Sequence, residues 1–298
     1  MTPPIRIADA IDDFARDMRL DKSPRTISTY TDSARMYARY AAAEGIESID
    51  QISTASIRAW LTELRDSGKS PSTLANRHGG VAALMRWSVV ERLRETNPIA
   101  DIPKPQAPAQ PVPVLTPADL RRLLKACDGA TFVEQRDTAI LRLLIDTGMR
   151  RAECAGLSVT DLDVDQDVAV VLGKGGRHRG CPYGTRTAKA LRRYLRIRPG
   201  HDYAYRPELW LGKRGPLQGG AIIQMLKHRA QQAGIVSRVF VHQLRHTWAH
   251  EALQRMNESD VQRLGGWRNR EMLSRYGASG ADERARRAYH EHSLGDRL

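Results

Sequence analysis

Apolar residues in the first hundred positions recur at the three-to-four-residue spacing of an amphipathic helix. Serine stands directly before proline at 23–24 and at 70–71. This pair favours a helix start, because serine caps free backbone N–H groups and proline fits the first turn. Ser53 or Thr54 starts another helix, and Asn97-Pro98 ends the series. Residues 1–102 are therefore predicted to form a small helical bundle.

The rest of the chain combines helical spacing with one stretch of β-branched residues. Val168 to Leu172 is predicted to be a strand, because a turn at Asp165-Gln166 precedes it and glycine-rich residues 173–176 follow it. Arg179 to Tyr183 is predicted to return as the paired strand of a hairpin. The expected fold class is mainly α with a small β-sheet. Helices are predicted at about 117–127, 133–147, 185–197, 217–233 and 241–256, with short ones near Arg150 and at the C-terminus.

A proline-rich segment separates the two regions. Prolines at 103, 105, 108, 111 and 113 forbid a continuous helix and favour an extended, semi-rigid connector. Residues 103–114 are therefore predicted to be a linker between a domain at 1–102 and a domain at 115–298. Thr116-Pro117, followed by Asp119, then gives a helix start at the beginning of the second domain.

Charge is distributed unevenly between the two regions. The chain has 47 Lys and Arg against 34 Asp and Glu, a formal net charge of +13. Residues 1–102 carry 14 basic and 14 acidic side chains, so residues 103–298 carry the whole excess. Most basic residues are arginine, which binds phosphate in two-pronged contacts, and a polyanionic partner is expected. Charge alone does not indicate an enzyme, since a solvated basic surface has the same composition.

Membrane and secreted classes are disfavoured by the sequence. No apolar stretch is long enough to span a membrane, and the N-terminus lacks the apolar core of a signal peptide. Cys127, Cys154 and Cys181 form no CxxC pair and leave one cysteine unmatched under any disulfide scheme. The expected location is the reducing cytoplasm of a bacterial cell, close to the nucleoid.

Four separated motifs of the second region carry residues suited to phosphoryl chemistry. They are 147–153, 173–175, 242–246 and 264–267, and Tyr276 follows the last of them. Each motif is weak alone, but in this order they resemble the tyrosine recombinase family, which includes phage integrases. The helical first region is similar to that family's core-binding, SAM-like domain, so the resemblance covers nearly the whole chain.

The resemblance implies an α+β catalytic domain at 115–298, ending in a C-terminal exchange helix. It implies cleavage through a 3′-phosphotyrosyl intermediate and four protomers that exchange strands in pairs. Trp267 departs from the histidine that is commoner at its position; its indole can donate a hydrogen bond but cannot transfer a proton. Matched by position, the implied catalytic residues are Arg150, Lys174, His242, Arg245, Trp267 and Tyr276.

The chemistry of these residue types agrees with the implied roles. Arg150 and Arg245 would bind the non-bridging oxygens of a phosphodiester, where charge accumulates under attack. Tyr276 would be the nucleophile, and because its phenol has a pKa near 10 it needs a base, for which His242 is the candidate. Lys174, at the tip of the predicted hairpin, would protonate the departing 5′ oxygen.

Two further residues are expected to support this pocket. Glu153 follows Arg150 by three positions and is expected to orient Arg150 or His242. His246 is expected to pack or to hydrogen bond beside the pocket. A zinc site is not expected at His246 and His250, because a threonine, not a glutamate, follows the first histidine. No metal or other cofactor is expected, since Arg, Lys and His supply the charge.

The sequence therefore predicts a simple two-domain recombinase that acts on short double-stranded DNA sites. The composition and the sequence of residues 266–279 look most similar to integrases of actinobacterial phages or mobile elements. The expected partners are recombination sites, three further protomers of a homotetramer and a directionality factor. Residues 281–298 are expected to dock on a neighbouring protomer. The alternatives are a type IB topoisomerase-like enzyme with the same pocket and a non-catalytic DNA-binding protein on the same fold.

Overall fold

The structure is a computed structural model that describes residues 4–106, 112–173, 176–237, 239–271 and 273, with 285–286, 289–290, 292–293 and 295–297 near the C-terminus. The chain divides into two compact units, Met1–Ala109 and Gln110–Leu298. Within the described residues, no helix combines the length and the apolar character needed to cross a bilayer. The predicted class, mainly α with a small β-sheet, is confirmed.

The first unit is a helical bundle. Its helices are α1 (Ile7–Asp17), α2 (Pro24–Ala43), α3 (Thr54–Asp66) and α4 (Pro71–Val90). The predicted caps are present, since Ser23, Ser53 and Ser70 each accept a hydrogen bond from a backbone N–H in the first turn of α2, α3 and α4. The core is apolar and aromatic. It contains Ile11, Phe14, Tyr37, Trp60, Leu84 and Met85, among other residues.

The second unit contains the sheet and the remaining helices. Strands β1 (Leu162–Asp163), β2 (Val168–Leu172) and β3 (His178–Pro182) form an antiparallel sheet in that order, and Val171 pairs with Arg179. Strands β4 (Leu211–Gly212) and β5 (Gly215–Pro216) form a second, two-stranded sheet. The helices are α5 (Pro117–Ala126), α6 (Phe132–Thr147), α7 (Arg151–Ala155), α8 (Thr185–Ile197), α9 (Gly219–Gln232), α10 (Val241–Leu253) and α11 (Glu258–Gly265).

Several boundaries differ from the predicted ones. The returning strand of the hairpin is displaced by one residue towards the N-terminus, although the N–H of Tyr183 still donates to the Asp167 carbonyl. Helix α10 ends at Leu253 instead of 256, because exposed residues follow it and Asn257 then caps α11. Short 3₁₀ helices, which were not predicted, lie at Met18–Leu20, Ile49–Gln51, Val159–Asp161 and Arg198–Gly200. A further one, Gly295–Arg297, lies in the C-terminal stretch for which short helices are predicted.

A buried ion-pair cluster ties α6 to α9 in the second unit. Asp137 accepts hydrogen bonds from Arg136 on one carboxylate oxygen and from Arg229 on the other, at 2.7–3.0 Å. The carbonyl of Ala126 at the end of α5 accepts from Arg229 as well. These charges are paired and hydrogen-bonded, as a buried carboxylate requires. The cluster therefore joins α5, α6 and α9.

Candidate active site

The end of α6 positions the first arginine of the site. Gly148 ends the helix in the left-handed region with φ 57°, where an L side chain is strained. A Cβ at this position would also lie 2.4 Å from the Trp248 ring. The chain then turns so that Arg150 caps α7, with its N–H donating to Glu153 Oε2 at 2.7 Å and its Nη1 to Glu153 Oε1 at 2.8 Å. The Arg150 side chain is 36% exposed and faces solvent in part.

Glu153 is an enclosed carboxylate held by two arginines. Besides Arg150, it binds Arg179 of β3, whose Nη1 and Nη2 donate to its two oxygens at 2.8 and 2.9 Å. Burial alone would raise the pKa of Glu153, but the hydrogen bonds from Arg179 and Arg150 outweigh it and lower the pKa to about 2. Glu153 is therefore ionised throughout the physiological range and acts as a fixed anion between two guanidinium groups.

The C-terminal end of α11 is bound by three arginines. We call Leu264-Gly265-Gly266 the arginine-bound turn, because its successive carbonyl oxygens accept hydrogen bonds from three different guanidinium groups. Arg179 Nε donates to Leu264 O at 2.9 Å, Arg245 Nη2 to Gly265 O at 2.6 Å and Arg150 Nη2 to Gly266 O at 3.0 Å. Gly266 adopts φ 65°, which only glycine takes without strain. The turn thus fixes the spacing of all three groups.

Arg245 and Trp267 are packed together behind this turn. Arg245 is 1% exposed, and its Nη1 donates to Gly148 O at 2.7 Å. Its guanidinium carbon lies 4.1 Å from the centre of the Trp267 ring, within cation–π range. A Cβ at Gly265 would lie 1.8 Å from the same ring, so the indole fills the space that this glycine leaves.

The two histidines of α10 lie next to each other. The ring centres of His242 and His246 are 4.7 Å apart, with an edge-to-face geometry. His242 is exposed at the start of the helix, yet partial burial of its ring, followed by the charges of Arg245 and Arg150, lowers its pKa below the usual 6.5. His246 is buried, and burial, then His242 and Arg245, lower its pKa to about 4. Both rings are therefore neutral at pH 7, so His242 is in the form that accepts a proton.

The structure brings the described members of the predicted site together. Arg150 and Glu153 contact each other, Arg245 and Trp267 contact each other, and both pairs are joined through the arginine-bound turn. Lys174 and Tyr276 lie outside the described residues. Of their neighbours, Gly173 directly follows β2, and Leu273 is buried in one cluster with Trp267.

Sequence reasoning missed Arg179, which contacts Glu153 and the arginine-bound turn. A signal for it exists in the strand pattern. Arg179 and Cys181 are two positions apart and therefore point to the same face of β3, and Cys181 is buried. A charged side chain on the inward face of a strand indicates a buried partner of opposite charge.

The side chains that could hold a metal ion are dispersed. In the described part of the chain, no group of three His, Cys, Asp or Glu side chains has the arrangement of a metal site. The three cysteines are free and buried, and burial raises the pKa of Cys127 and Cys154 to about 12. They are therefore thiols at neutral pH. Among the described residues of the site, Arg150 presents a partly exposed guanidinium group to a ligand, and such a group selects an anion.

Comparisons with known proteins agree on one family over both units. The model of the phage integrase family matches residues 113–283, and the model of the phage integrase N-terminal SAM-like domain matches residues 11–92. Tyrosine recombinase XerC of Corynebacterium glutamicum is 33% identical, with 84% of this chain and 80% of the relative covered. Tyrosine recombinase XerC of Chromohalobacter salexigens is 31% identical, with 87% of each covered.

Solved structures share the fold. The Tn1549 transposon integrase, in complex with a circular intermediate DNA, aligns with a TM-score of 0.74 at 19% identity. The alignment covers 97% of this chain and 100% of the integrase chain. This chain therefore shares the fold of a solved transposon integrase.

Proposed function

Since the chain belongs to the phage integrase family of tyrosine recombinases, which cleave and rejoin DNA at specific sites, we propose that Tyr276 is its nucleophile. The proposed pocket consists of Arg150, Lys174, His242, Arg245 and Trp267 around one scissile phosphate, supported by Glu153 and His246. Residues 1–102 would be the core-binding domain, 103–114 the linker and 115–298 the catalytic domain. The observation that carries the proposal is the arginine-bound turn, which holds two arginines of the proposed pocket at adjacent carbonyl oxygens.

The proposed reaction consists of two successive transesterifications. The Tyr276 oxygen attacks phosphorus while the bond from phosphorus to the 5′ oxygen breaks, which leaves a 3′-phosphotyrosyl bond and a 5′-hydroxyl. His242 accepts the phenolic proton, and Lys174 donates a proton to the departing 5′ oxygen. In the second step a 5′-hydroxyl from another strand attacks the phosphotyrosine, and the same protons return. No ATP is needed, because one phosphate ester replaces another.

The two arginines would stabilise the transition state electrostatically. Negative charge increases on the two non-bridging oxygens as the tyrosine attacks, and fixed guanidinium groups match that charge without reorganising. Arg150 is partly exposed and can meet the phosphate directly. The Trp267 ring packs against the Arg245 guanidinium, so the orientation of Arg245 is set before DNA binds.

Covalent capture tests the proposal and selects the DNA site in the same experiment. The full chain is incubated with a pool of short randomised duplexes, each nicked so that the cleaved end diffuses away and rejoining fails. Protein–DNA adducts that survive detergent are isolated and sequenced. We expect adducts on a restricted set of sequences, and none with Tyr276→Phe. No adduct from the pool would favour a non-catalytic DNA-binding protein. Equal capture by Tyr276→Phe would mean that another side chain is the nucleophile, and the assignment of Tyr276 would then fail.

We further propose that the reaction integrates a mobile element. The sequence of residues 266–279 and the likeness to a transposon integrase support this proposal. A recombination assay with two plasmids, each of which carries one captured site, distinguishes integration from the alternatives. Integration predicts two distinct captured sequences with a shared core that recombine with each other. A single sequence that recombines with its own copy indicates a resident resolvase. Relaxation of supercoils without strand exchange indicates a topoisomerase.

The assembly proposed for strand exchange is a homotetramer on two double-stranded sites. Each pair of exchanged strands requires two active nucleophiles, so two sites require four protomers. A directionality factor is proposed as a further partner that selects excision over integration. Size analysis of the protein with captured duplex tests the stoichiometry, because only a tetramer holds two duplexes together.

A further inference from the structure

Arg179 lies outside the proposed pocket, yet it contacts two of the parts that position the pocket. Its Nη1 and Nη2 bind both oxygens of Glu153, and its Nε binds Leu264 O. It belongs to β3, the strand that returns after the hairpin tip with Lys174. One side chain of the hairpin is therefore joined to the Glu153 carboxylate, 26 positions away in sequence, and to Leu264 of the arginine-bound turn, 85 positions away.

The Arg179 guanidinium is directed at protein oxygens. The side chain is 13% exposed, against 36% for Arg150. A Cβ at Gly266 would lie 3.1 Å from Arg179 Cδ and Nη1, so the backbone of the turn lies directly against the guanidinium group. All three nitrogens of the group donate to protein acceptors. This geometry differs from that of a residue that binds DNA phosphate.

The contacts of Arg179 bear on both arginines of the pocket. Glu153 accepts from Arg150 on the same oxygens that accept from Arg179, and the arginine-bound turn accepts from Arg150 and Arg245 beside the Arg179 contact. If Arg179 were absent, Glu153 would lose its two-pronged partner and Leu264 O its donor. The carboxylate and the turn would then be free to shift, and both arginines of the pocket with them.

We propose that Arg179 is a positioning residue for DNA cleavage. It fixes the Glu153 carboxylate and the arginine-bound turn, and through them the guanidinium groups of Arg150 and Arg245. This inference rests on the proposed function, because it assigns Arg179 to the reaction of that same site. It predicts that Arg179 affects the rate of cleavage and leaves DNA affinity nearly unchanged.

The pH dependence of cleavage gives a second readout. Around Glu153 the charged and titratable groups are Arg150, Arg179, Cys181 and Cys154, with Arg245 beyond Cys181. Without Arg179 the burial of Glu153 remains and raises its pKa from about 2 towards the working range. Cleavage should then decline as the pH falls through mildly acidic values, because a protonated Glu153 no longer holds Arg150. Arg179→Lys keeps the positive charge and should shift this decline less than Arg179→Met.

The test compares Arg179→Lys and Arg179→Met with the wild-type chain on the duplex that wild type captures most often. Arg198→Met is the matched control. Arg198 is also buried and also fastens a loop, by donating to four backbone carbonyls at 204, 206, 208 and 209, but it contacts no residue of the pocket among those described. The measurements are duplex affinity by gel shift, adduct formation in a single turnover from pH 5 to 8, and the thermal midpoint of each protein.

We expect Arg179→Met to lower the rate about 100-fold and Arg179→Lys about 10-fold, with affinity within about twofold of wild type. Arg198→Met should lower the thermal midpoint but keep the rate below that midpoint. A rate that equals wild type in Arg179→Lys, or that falls in proportion to affinity, overturns the inference. If Arg179→Met does not fold, the lysine variant decides. If the wild-type chain forms no adduct, the proposed function itself fails. This outcome is seen before any variant is compared, so it differs from a failure of the inference about Arg179.

Discussion

Arg245 is a cation that the protein encloses almost completely. It is 1% exposed, donates to Gly148 O and Gly265 O, and lies over the Trp267 ring. Lysine has the charge but lacks the planar fork, so it cannot reach both carbonyls and stack on the indole. We expect Arg245→Lys to lower adduct formation by at least about 100-fold, or about 2.7 kcal/mol of transition-state stabilisation.

Adduct formation on captured duplex measures this effect. Arg193→Lys is the control, because Arg193 is exposed on α8. Comparable rates for wild type and Arg245→Lys would show that the fork geometry of Arg245 does not matter to cleavage, and the assignment of Arg245 to the phosphate would then fail.

His246 couples folding to pH. Burial lowers its pKa to about 4 in the folded chain, whereas the unfolded chain has the usual 6.5. Between these values the unfolded state binds more protons, so this group removes stability as the pH falls from 6.5 towards 4. The free energy of unfolding should therefore fall by about 2 kcal/mol less in His246→Gln than in wild type as the pH is lowered over this range. Urea unfolding of both proteins from pH 4.5 to 7 measures the difference, and His228→Gln, at an exposed position of α9, should match wild type.

At the scale of elements, the junction of α6 and α7 depends on a glycine. Gly148→Ala places a methyl group 2.4 Å from the Trp248 ring at a position with φ 57°. Left-handed backbone costs an alanine about 1 kcal/mol, and overpacking adds about 1–3 kcal/mol. We expect a loss of about 2–4 kcal/mol in the free energy of unfolding, together with slower cleavage, since Gly148 O accepts from Arg245.

Gly234→Ala is the matched control for this substitution. Gly234 follows α9 with φ 63° and has no atom within 4 Å of its added Cβ. Its alanine variant should therefore lose only the cost of left-handed backbone, about 1 kcal/mol in the free energy of unfolding. Equal losses for the two variants, measured by urea unfolding, would mean that the contact with Trp248 relaxes without cost.

Helix starts were predictable because their determinants are local. Thr116 accepts from the Asp119 N–H three residues away, and Ser23 and Ser70 act in the same way, so a short window of sequence contains the whole interaction. The hairpin followed from β-branched residues between turn residues, and it is displaced by only one position. Its register depends on pairing across the sheet, which a window of sequence does not contain.

The residues that hold the site together were not predictable in this way. Arg179 meets Leu264 across 85 positions, and Arg229 meets Asp137 across 92. Strand alternation places Arg179 on the inward face of β3, but it does not identify the partner. With 47 basic residues in the chain, the partners of both arginines depend on the packing of distant elements. The motif resemblance supplied Arg150, Glu153 and Arg245, and the roles of these side chains in catalysis stay predictions.

At the scale of the whole molecule, the net charge should govern DNA affinity. The excess of +13 lies entirely within residues 103–298. Each phosphate contact releases counterions, so a protein with six or more contacts loses about 1000-fold in affinity between about 50 and 200 mM salt. We expect a loss of this order for the full chain on captured duplex, measured by gel shift. Tyr276→Phe should show the same salt dependence, since it changes no charge, and a salt-independent affinity would contradict a phosphate-binding surface.

The last eighteen residues provide a final prediction about assembly. The sequence from Ala281 to Leu298 predicts a short amphipathic helix, and Tyr289 is 66% exposed on a single chain. Packing of the apolar face of this helix, including the Tyr289 ring, against a neighbouring protomer would remove apolar surface from water. Deletion after Gly280 should therefore leave adduct formation on a nicked duplex intact while it abolishes the tetramer and strand exchange between two plasmids. Light scattering with captured duplex and the two-plasmid assay measure these outcomes. Recombination at the wild-type rate by the truncated chain would show that the segment has no part in assembly, and loss of adduct as well would place it in the pocket itself.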